Sequence, residues 1–145
     1  MFKLISIDPG KCKCGLVLVD INKKKVDQAI VLKTEFLPKY VKTLITNETI
    51  SEVIIGNGTT SRQNIEKLDF INNYLIIVEE KNTTFRAKQR YFELFPIRGL
   101  KTLLPKEIFL MNKNLDAVSA LIILEDFYNQ KFTLSEQIDI KTWLK

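Results

Sequence analysis

The sequence has 145 residues, a length typical of one folded domain, and we expect a single domain over residues 1–145. It is 46% hydrophobic and 27% charged with a net charge of +5, so it can bury a core, and no apolar run approaches the ~20 residues of a membrane span. It contains no histidine, which excludes serine and cysteine catalytic triads, histidine general bases and histidine-ligated zinc.

Three apolar segments at the start of the chain predict an antiparallel, three-stranded meander. Residues 2–8 are apolar at nearly every position, as expected of a central strand that is buried on both faces. Two further strands are predicted over residues 16–20 and 26–32, on either side of a polar turn at 22–25.

The middle of the chain alternates helical and strand patterns. Residues 37–48 carry apolar side chains at helical spacing. A short buried strand is predicted over residues 53–55, a turn over 56–61, and a helix from the apolar positions between 65 and 71. Residues 75–78 are again apolar throughout, which predicts a second central strand.

The last third of the chain is mainly helical in pattern. A helix capped by a threonine is predicted over about 83–95, residues 98–113 look irregular, and the strongest helical pattern covers 115–128. The short tail with Trp143 has no clear pattern. Together the segments predict an α/β fold, with a mixed five-stranded sheet of three antiparallel strands followed by parallel βα units, and helices on both faces.

Four carboxylates fall where the site of such a sheet is expected, beyond the carboxyl ends of its strands. Asp8 ends the first strand, Glu79 and Glu80 follow the 75–78 strand, and Asp116 begins the last helix. Converging carboxylates repel unless protons or cations neutralise them, and an all-oxygen set suits Mg²⁺ or Mn²⁺, which in pairs support phosphodiester hydrolysis. Singly, each has a plainer interpretation as a turn residue, a solvated strand end or a partner of the helix dipole.

The positive charge is concentrated in one segment. Residues 81–113 hold eight bases and two acids, whereas the rest of the chain holds 14 bases and 15 acids. This segment is a candidate phosphate-facing surface, and the alternative is a solvated helix face. Arg86 and Arg90 are spaced to share one helix face and to clamp a phosphate there. The full set of candidate nucleic-acid-binding residues is Lys11, Lys13, Lys81, Arg86, Lys88 and Arg90.

Smaller features each leave two interpretations open. Gly56 and the nearby Gly58 either allow backbone N–H groups to approach a phosphate or form a tight turn before a helix. An aromatic side chain at 91 or 92 either stacks on a base or packs in the core. Cys12 and Cys14 are too few for a cysteine zinc site and lack redox-pair spacing, so they are expected to pack or face solvent in a reduced, cytoplasmic setting.

Four short motifs in order resemble the YqgF/RuvX family over nearly the whole chain. They are Ile7-Asp8-Pro9-Gly10 with Gly15-Leu16, the 55–61 segment Ile-Gly-Asn-Gly-Thr-Thr-Ser, the 78–84 segment Val-Glu-Glu-Lys-Asn-Thr-Thr, and Leu115-Asp116-Ala117. The 86–91 segment, with Gly99-Leu100 and Leu103-Leu104-Pro105 after it, is similar to a divergent subgroup. Members are RNase H-like proteins described as Holliday junction resolvases or as nucleases that mature small-subunit ribosomal RNA.

The resemblance implies a role for individual residues. The family's catalytic, metal-holding carboxylates match Asp8, Glu80 and Asp116. Lys81 replaces a family Arg and loses its bidentate phosphate geometry, and Ser119 stands where related resolvases carry a second Asp. The implied activity is a Mg²⁺- or Mn²⁺-dependent endonuclease acting on structured nucleic acid, first a precursor of 16S ribosomal RNA and second a branched DNA junction.

Two functions from other classes remain open at this point. One is a nucleic-acid-binding module that kept the fold and lost catalysis. The other is an actin-like or sugar-kinase-like phosphotransferase, since an Asp-x-Gly turn after the first strand occurs there too, although that class needs two such domains. For the endonuclease and for the binding module, the expected partner is nucleic acid and not a membrane. The sequence does not indicate an oligomeric state.

Overall fold

The strands of the chain form one mixed sheet, seen in a computed structural model that describes residues 2–58, 60–111, 113–136 and 138. Its strand order is β5-β4-β1-β2-β3-β6. The strands are β1 (Lys3–Asp8), β2 (Lys13–Asp20), β3 (Lys25–Lys33), β4 (Ile50–Gly56), β5 (Leu75–Val78) and β6 (Thr133–Leu134). The first three pair antiparallel, and the β1–β4, β4–β5 and β3–β6 pairs are parallel. The predicted mixed sheet is therefore confirmed.

Helices cover both faces of this sheet, as predicted. They are α1 (Leu37–Asn47), α2 (Ser61–Lys67), α3 (Thr83–Leu94), α4 (Lys106–Leu110) and α5 (Asp116–Tyr128), with 3-10 turns at Thr34–Phe36, Asp69–Ile71 and Gly99–Leu103. The α3 and α5 helices pack on one face and α1 on the other. The region 98–113 is thus partly helical, where the sequence pattern looked irregular.

The central strand β1 divides its side chains between two cores. Ile5 and Ile7 pack towards α1, while Leu4 packs towards α5. Because side chains alternate along a strand, Ser6 and Asp8 share the α5 face with Leu4. The Ser6 hydroxyl donates a hydrogen bond to the carbonyl oxygen of Ala120 at 2.7 Å, which fixes α5 against β1. This alternation places Asp8 on the side of the sheet where α5 begins.

Two details of the sheet differ from the sequence prediction. The sheet has a sixth strand, β6, which is only two residues long and carries no periodic signal of its own. The prediction that the 75–78 strand is central was wrong, because β5 lies at the edge beside β4 alone. None of its four residues is fully buried, and the Ile77 side chain is 52% exposed. An apolar run of four residues cannot distinguish an edge strand covered on one side from a central one.

The state of the two cysteines and the length of the helices can be compared with the predictions from the sequence. Cys14 is buried, Cys12 is exposed, and both are free thiols, as predicted. None of the helices in the described ranges is long and apolar enough to cross a membrane. The tail residue Trp143 lies outside the described residues.

Candidate active site

Asp8 and Asp116 are brought together by close packing of α5 on the β1–β2 hairpin. Asp8 pairs in register with Gly15 of β2. A Cβ atom on Gly15 would lie 2.0 Å from the backbone oxygen of Asp116, so only a glycine admits the start of α5 at this point. The Asn114 side chain accepts a hydrogen bond from the Asp116 backbone N–H at 2.8 Å, immediately before the first turn of α5.

Glu80 reaches the same place from the end of β5. Its carboxylate lies over Gly56, where a Cβ atom would be 1.9 Å from Glu80 Oε1. That oxygen is buried and has no hydrogen-bond partner among the described residues. Burying a charged carboxylate oxygen without a hydrogen-bond donor costs free energy, and a bound cation or a proton usually neutralises the charge. Gly56 therefore makes room for a carboxylate, an interpretation beyond the two that the sequence left open.

Electrostatic interactions connect Asp8 with each of the other two carboxylates. Burial, followed by the charges of Glu80 and Asp116, raises the pKa of Asp8 to about 8. Burial also raises the pKa of Glu80, against a lowering hydrogen bond from Thr83. The pKa of Asp116 is raised by burial too, opposed by its hydrogen bond to Asn114 and by the charge of Lys13. We call Asp8, Glu80 and Asp116 the carboxylate cluster. The surroundings of these three side chains favour their protonated, uncharged forms over the negatively charged ones.

A hard divalent cation fits this donor set. All three side chains supply oxygen ligands, one buried oxygen lacks a donor, and burial together with the charges of Glu80 and Asp116 raises the pKa of Asp8. In the described part of the chain, no group of three acidic or cysteine side chains is already spaced as the ligands of one ion. Charge repulsion between uncompensated carboxylates opposes such spacing. The neighbouring Glu79 is exposed and lies outside the cluster.

The two candidate arginines face α5. Arg86 makes a bidentate ion pair with Asp126, with both N···O distances at 2.6 Å. Arg90 donates to the carboxylate of Glu125 at 2.7 and 3.0 Å and to the carbonyl oxygen of Phe132 at 2.7 Å. They do share one helix face, as the spacing predicted, but that face is turned to a neighbouring helix. Their visible role is to join α3 to α5.

The candidate lysines are placed differently. Lys11, Lys13, Lys81 and Lys88 are all exposed. Lys13 acts on Asp116 electrostatically, and Lys88 lines an open cleft of about 420 Å³ that also contains Asp116. Two exposed lysines therefore lie near the Asp116 end of the carboxylate cluster.

The cleft also contains residues that sequence reasoning did not single out. Thr84 and Lys113 line it together with Lys88, Asn114 and Asp116. Lys113 was counted in the basic segment, but its spacing gave no reason to place it near Asp116. Only the packing of the segment between α4 and α5 brings it there.

Replacing Gly56 with Ala is expected to displace Glu80 and to slow the nuclease activity that the motif resemblance implies by about 10²-fold, the cost of a misplaced group in an active site. Folding stability should change little, because the added methyl meets a side chain that can swing away rather than backbone. Gly58→Ala is the matched control, since its Cβ would lie 3.5 Å from Glu80 Oε1, an ordinary contact. Equal rates for the two variants, measured beside urea unfolding curves, would contradict the placement of Glu80.

Comparisons with known proteins identify the fold. No family description and no curated protein matches the sequence. Among solved structures, Thermus thermophilus RuvC in complex with a Holliday junction substrate aligns over 89% of this chain and 95% of that chain, with a TM-score of 0.51 and 12% identity. At this identity the likeness shows the fold alone, and the expected RNase H-like class is confirmed.

Two further structures align less well. Both are Aquifex aeolicus members of the Ppx/GppA family, one of them described as a type II variant of the phosphatase. Each has a TM-score of 0.39 and covers 68% of this chain, at 10% and 11% identity. The alignments cover only 42% and 43% of those longer chains.

Proposed function

We propose that this protein is a divalent-metal-dependent endonuclease of the YqgF/RuvX type that hydrolyses phosphodiester bonds in structured nucleic acid. The observation that carries the proposal is the carboxylate cluster, where three acids of distant sequence position meet and one buried oxygen lacks a hydrogen-bond donor. The RNase H-like fold supports it, because this fold is found in a protein solved with a Holliday junction substrate.

Asp8, Glu80 and Asp116 would hold Mg²⁺ or Mn²⁺. Bound there, such ions supply an activated water and stabilise the leaving oxygen of a phosphodiester. The other residues act on the substrate. Lys13 and Lys88 would contact its phosphates near Asp116 and offset the negative charge of the cluster.

The motif resemblance favours a precursor of 16S ribosomal RNA as the substrate. A branched DNA junction is the second candidate, and the specific observation behind it is the fold match to RuvC bound to a junction. Lys81, in place of the family's Arg, offers a point charge instead of a planar fork and so contacts a phosphate less specifically.

A side-by-side cleavage assay tests the proposal. A ribosomal RNA precursor fragment and a four-way DNA junction are each incubated with the protein in Mg²⁺, in Mn²⁺ and in EDTA. We expect cleavage of the RNA with either ion and none in EDTA. Cleavage of the junction alone would select the second candidate. Binding without cleavage under all conditions would replace the proposal with a catalytically inactive nucleic-acid-binding module.

A further inference from the structure

An apolar groove of about 620 Å³ lies between α3 on one side and α4 with the segment that follows it on the other. Phe92 lines its α3 side, and Leu110, Met111 and Leu115 line the other. The Met111 side chain is 66% exposed. Tyr91, the neighbouring aromatic residue, is buried in the core, so of this pair only Phe92 faces the groove.

The groove is continuous with the cleft beside the carboxylate cluster. Lys88, Lys113 and Leu115 line both the groove and the cleft that contains Asp116. A chain molecule bound along the cleft would therefore present its next unit to the groove. The volume of the groove is in the range of sites that hold small organic groups, rather than of extended protein interfaces.

The rim of the groove is positively charged. Lys88, Lys106 and Lys113 stand on it, and within the described residues Lys88 and Lys106 have no carboxylate at ion-pair distance. The ammonium group of Lys106 lies 5.4 Å from the centre of the Phe92 ring. Two acids also line the groove: Glu107, and Glu93, which is already paired with Arg90 and Lys131 at 3.1 and 2.7 Å. The three lysines outnumber them. The ligand that matches this surface has a flat apolar part and a negatively charged backbone.

We propose that the groove binds one unstacked nucleobase of the nucleic acid whose backbone lies at the carboxylate cluster, with the rim lysines on its phosphates. This inference rests on the proposed function and adds a substrate requirement to it. A base inside a continuous duplex is stacked and paired and cannot enter, whereas a base in a single strand, a loop or a branch point can. The groove thus selects substrates with an unpaired nucleotide next to the bond that is cut.

Binding of short fluorescein-labelled RNA strands in EDTA, followed by fluorescence anisotropy, tests the inference without any cleavage. One strand carries all its bases, and a second has the same backbone with abasic positions. We expect the abasic strand to bind the unaltered protein about tenfold more weakly, since aromatic and apolar contacts to one base are lost. Met111→Glu should remove this difference between the two strands.

Leu100→Glu is the matched control. It introduces the same charge in the 3-10 turn between α3 and α4, at an 85% exposed residue that does not line the groove. It should preserve the preference for the strand with bases. Equal behaviour of the two variants, or no preference in the unaltered protein, would overturn the inference. Base-dependent binding without cleavage activity would instead remove the nuclease proposal and keep the groove.

Discussion

Asp8→Asn is expected to lower the rate of metal-dependent cleavage by roughly 10²–10³-fold or more, the scale for removing one electrostatic stabiliser from an active site. Asp8 stands between Glu80 and Asp116, whose charges both act on it. The amide keeps the shape of the side chain and removes its negative charge, so the cluster loses affinity for a divalent cation. Initial rates in saturating Mg²⁺ and Mn²⁺ measure the effect.

The same variant carries an internal check on folding. The pKa of Asp8 is raised to about 8, far above its value in an unfolded chain. Between about pH 4 and pH 8, Asp8 therefore binds more protons in the folded protein than in the unfolded chain, and its contribution to the free energy of unfolding falls as pH rises. This fall is on the order of 1 kcal/mol per pH unit in EDTA and should be weaker in Asp8→Asn.

Glu79→Gln provides the matched activity control. Glu79 is adjacent to Glu80 in sequence, but it is exposed and outside the cluster. Its variant should cleave at nearly the rate of the unaltered protein. If Asp8→Asn stayed fully active, or if Glu79→Gln lost activity to the same extent, the assignment of the cluster would be wrong.

Glu125→Ala is expected to destabilise the folded protein by about 3–5 kcal/mol, the usual cost of breaking a buried ion pair. Glu125 and Arg90 have side chains only 8% and 11% exposed. Glu125 also accepts a hydrogen bond from the Phe132 backbone N–H at 2.9 Å. Its loss leaves the Arg90 guanidinium with Glu93 and the Phe132 carbonyl oxygen as its acceptors, and leaves the Phe132 backbone N–H without its acceptor, at the point where the chain leaves α5 for β6. Urea unfolding curves give the difference.

Two further variants separate charge burial from simple loss of contact. Arg86→Ala breaks the exposed pair with Asp126 and should cost only about 0–1 kcal/mol. Replacing Arg90 with Met and Glu125 with Leu together should recover most of the stability, because no unpaired charge remains. A double variant as unstable as Glu125→Ala would show that the pair supplies more than charge compensation.

Short-range sequence patterns predicted much of this fold, because the formation of a strand or a helix depends largely on residues that are close in the chain. The 75–78 strand was predicted with its observed bounds, and the last helix to within one residue, since apolar runs and helical periodicity depend on neighbours in the chain. The carboxylates were singled out because they follow strands or begin a helix. Their convergence followed from the topology expected of parallel βα units, and the raised pKa of Asp8 agrees with it.

The orientation of α3 was beyond such reasoning. Spacing placed Arg86 and Arg90 on one face, but whether that face meets solvent or another helix depends on partners 35 to 42 residues away. Those partners, Asp126, Glu125 and Phe132, carry no signal that pairs them with α3. The position of β5 at the edge of the sheet could not be predicted for the same reason, because an apolar segment does not indicate how many strands lie beside it.

By itself, then, the amino-acid sequence predicted every strand but β6, every helix but α4, and the order of these elements, and it singled out three acidic positions, because these features depend on composition and short-range spacing. Only the tertiary structure decided which groups meet. In the folded protein Glu80 lies over Gly56, and Arg86 and Arg90 form ion pairs between α3 and α5. A groove lies beside Lys88 and Lys113. These outcomes are decided by packing between segments far apart in the chain, where shape and charge must match in three dimensions.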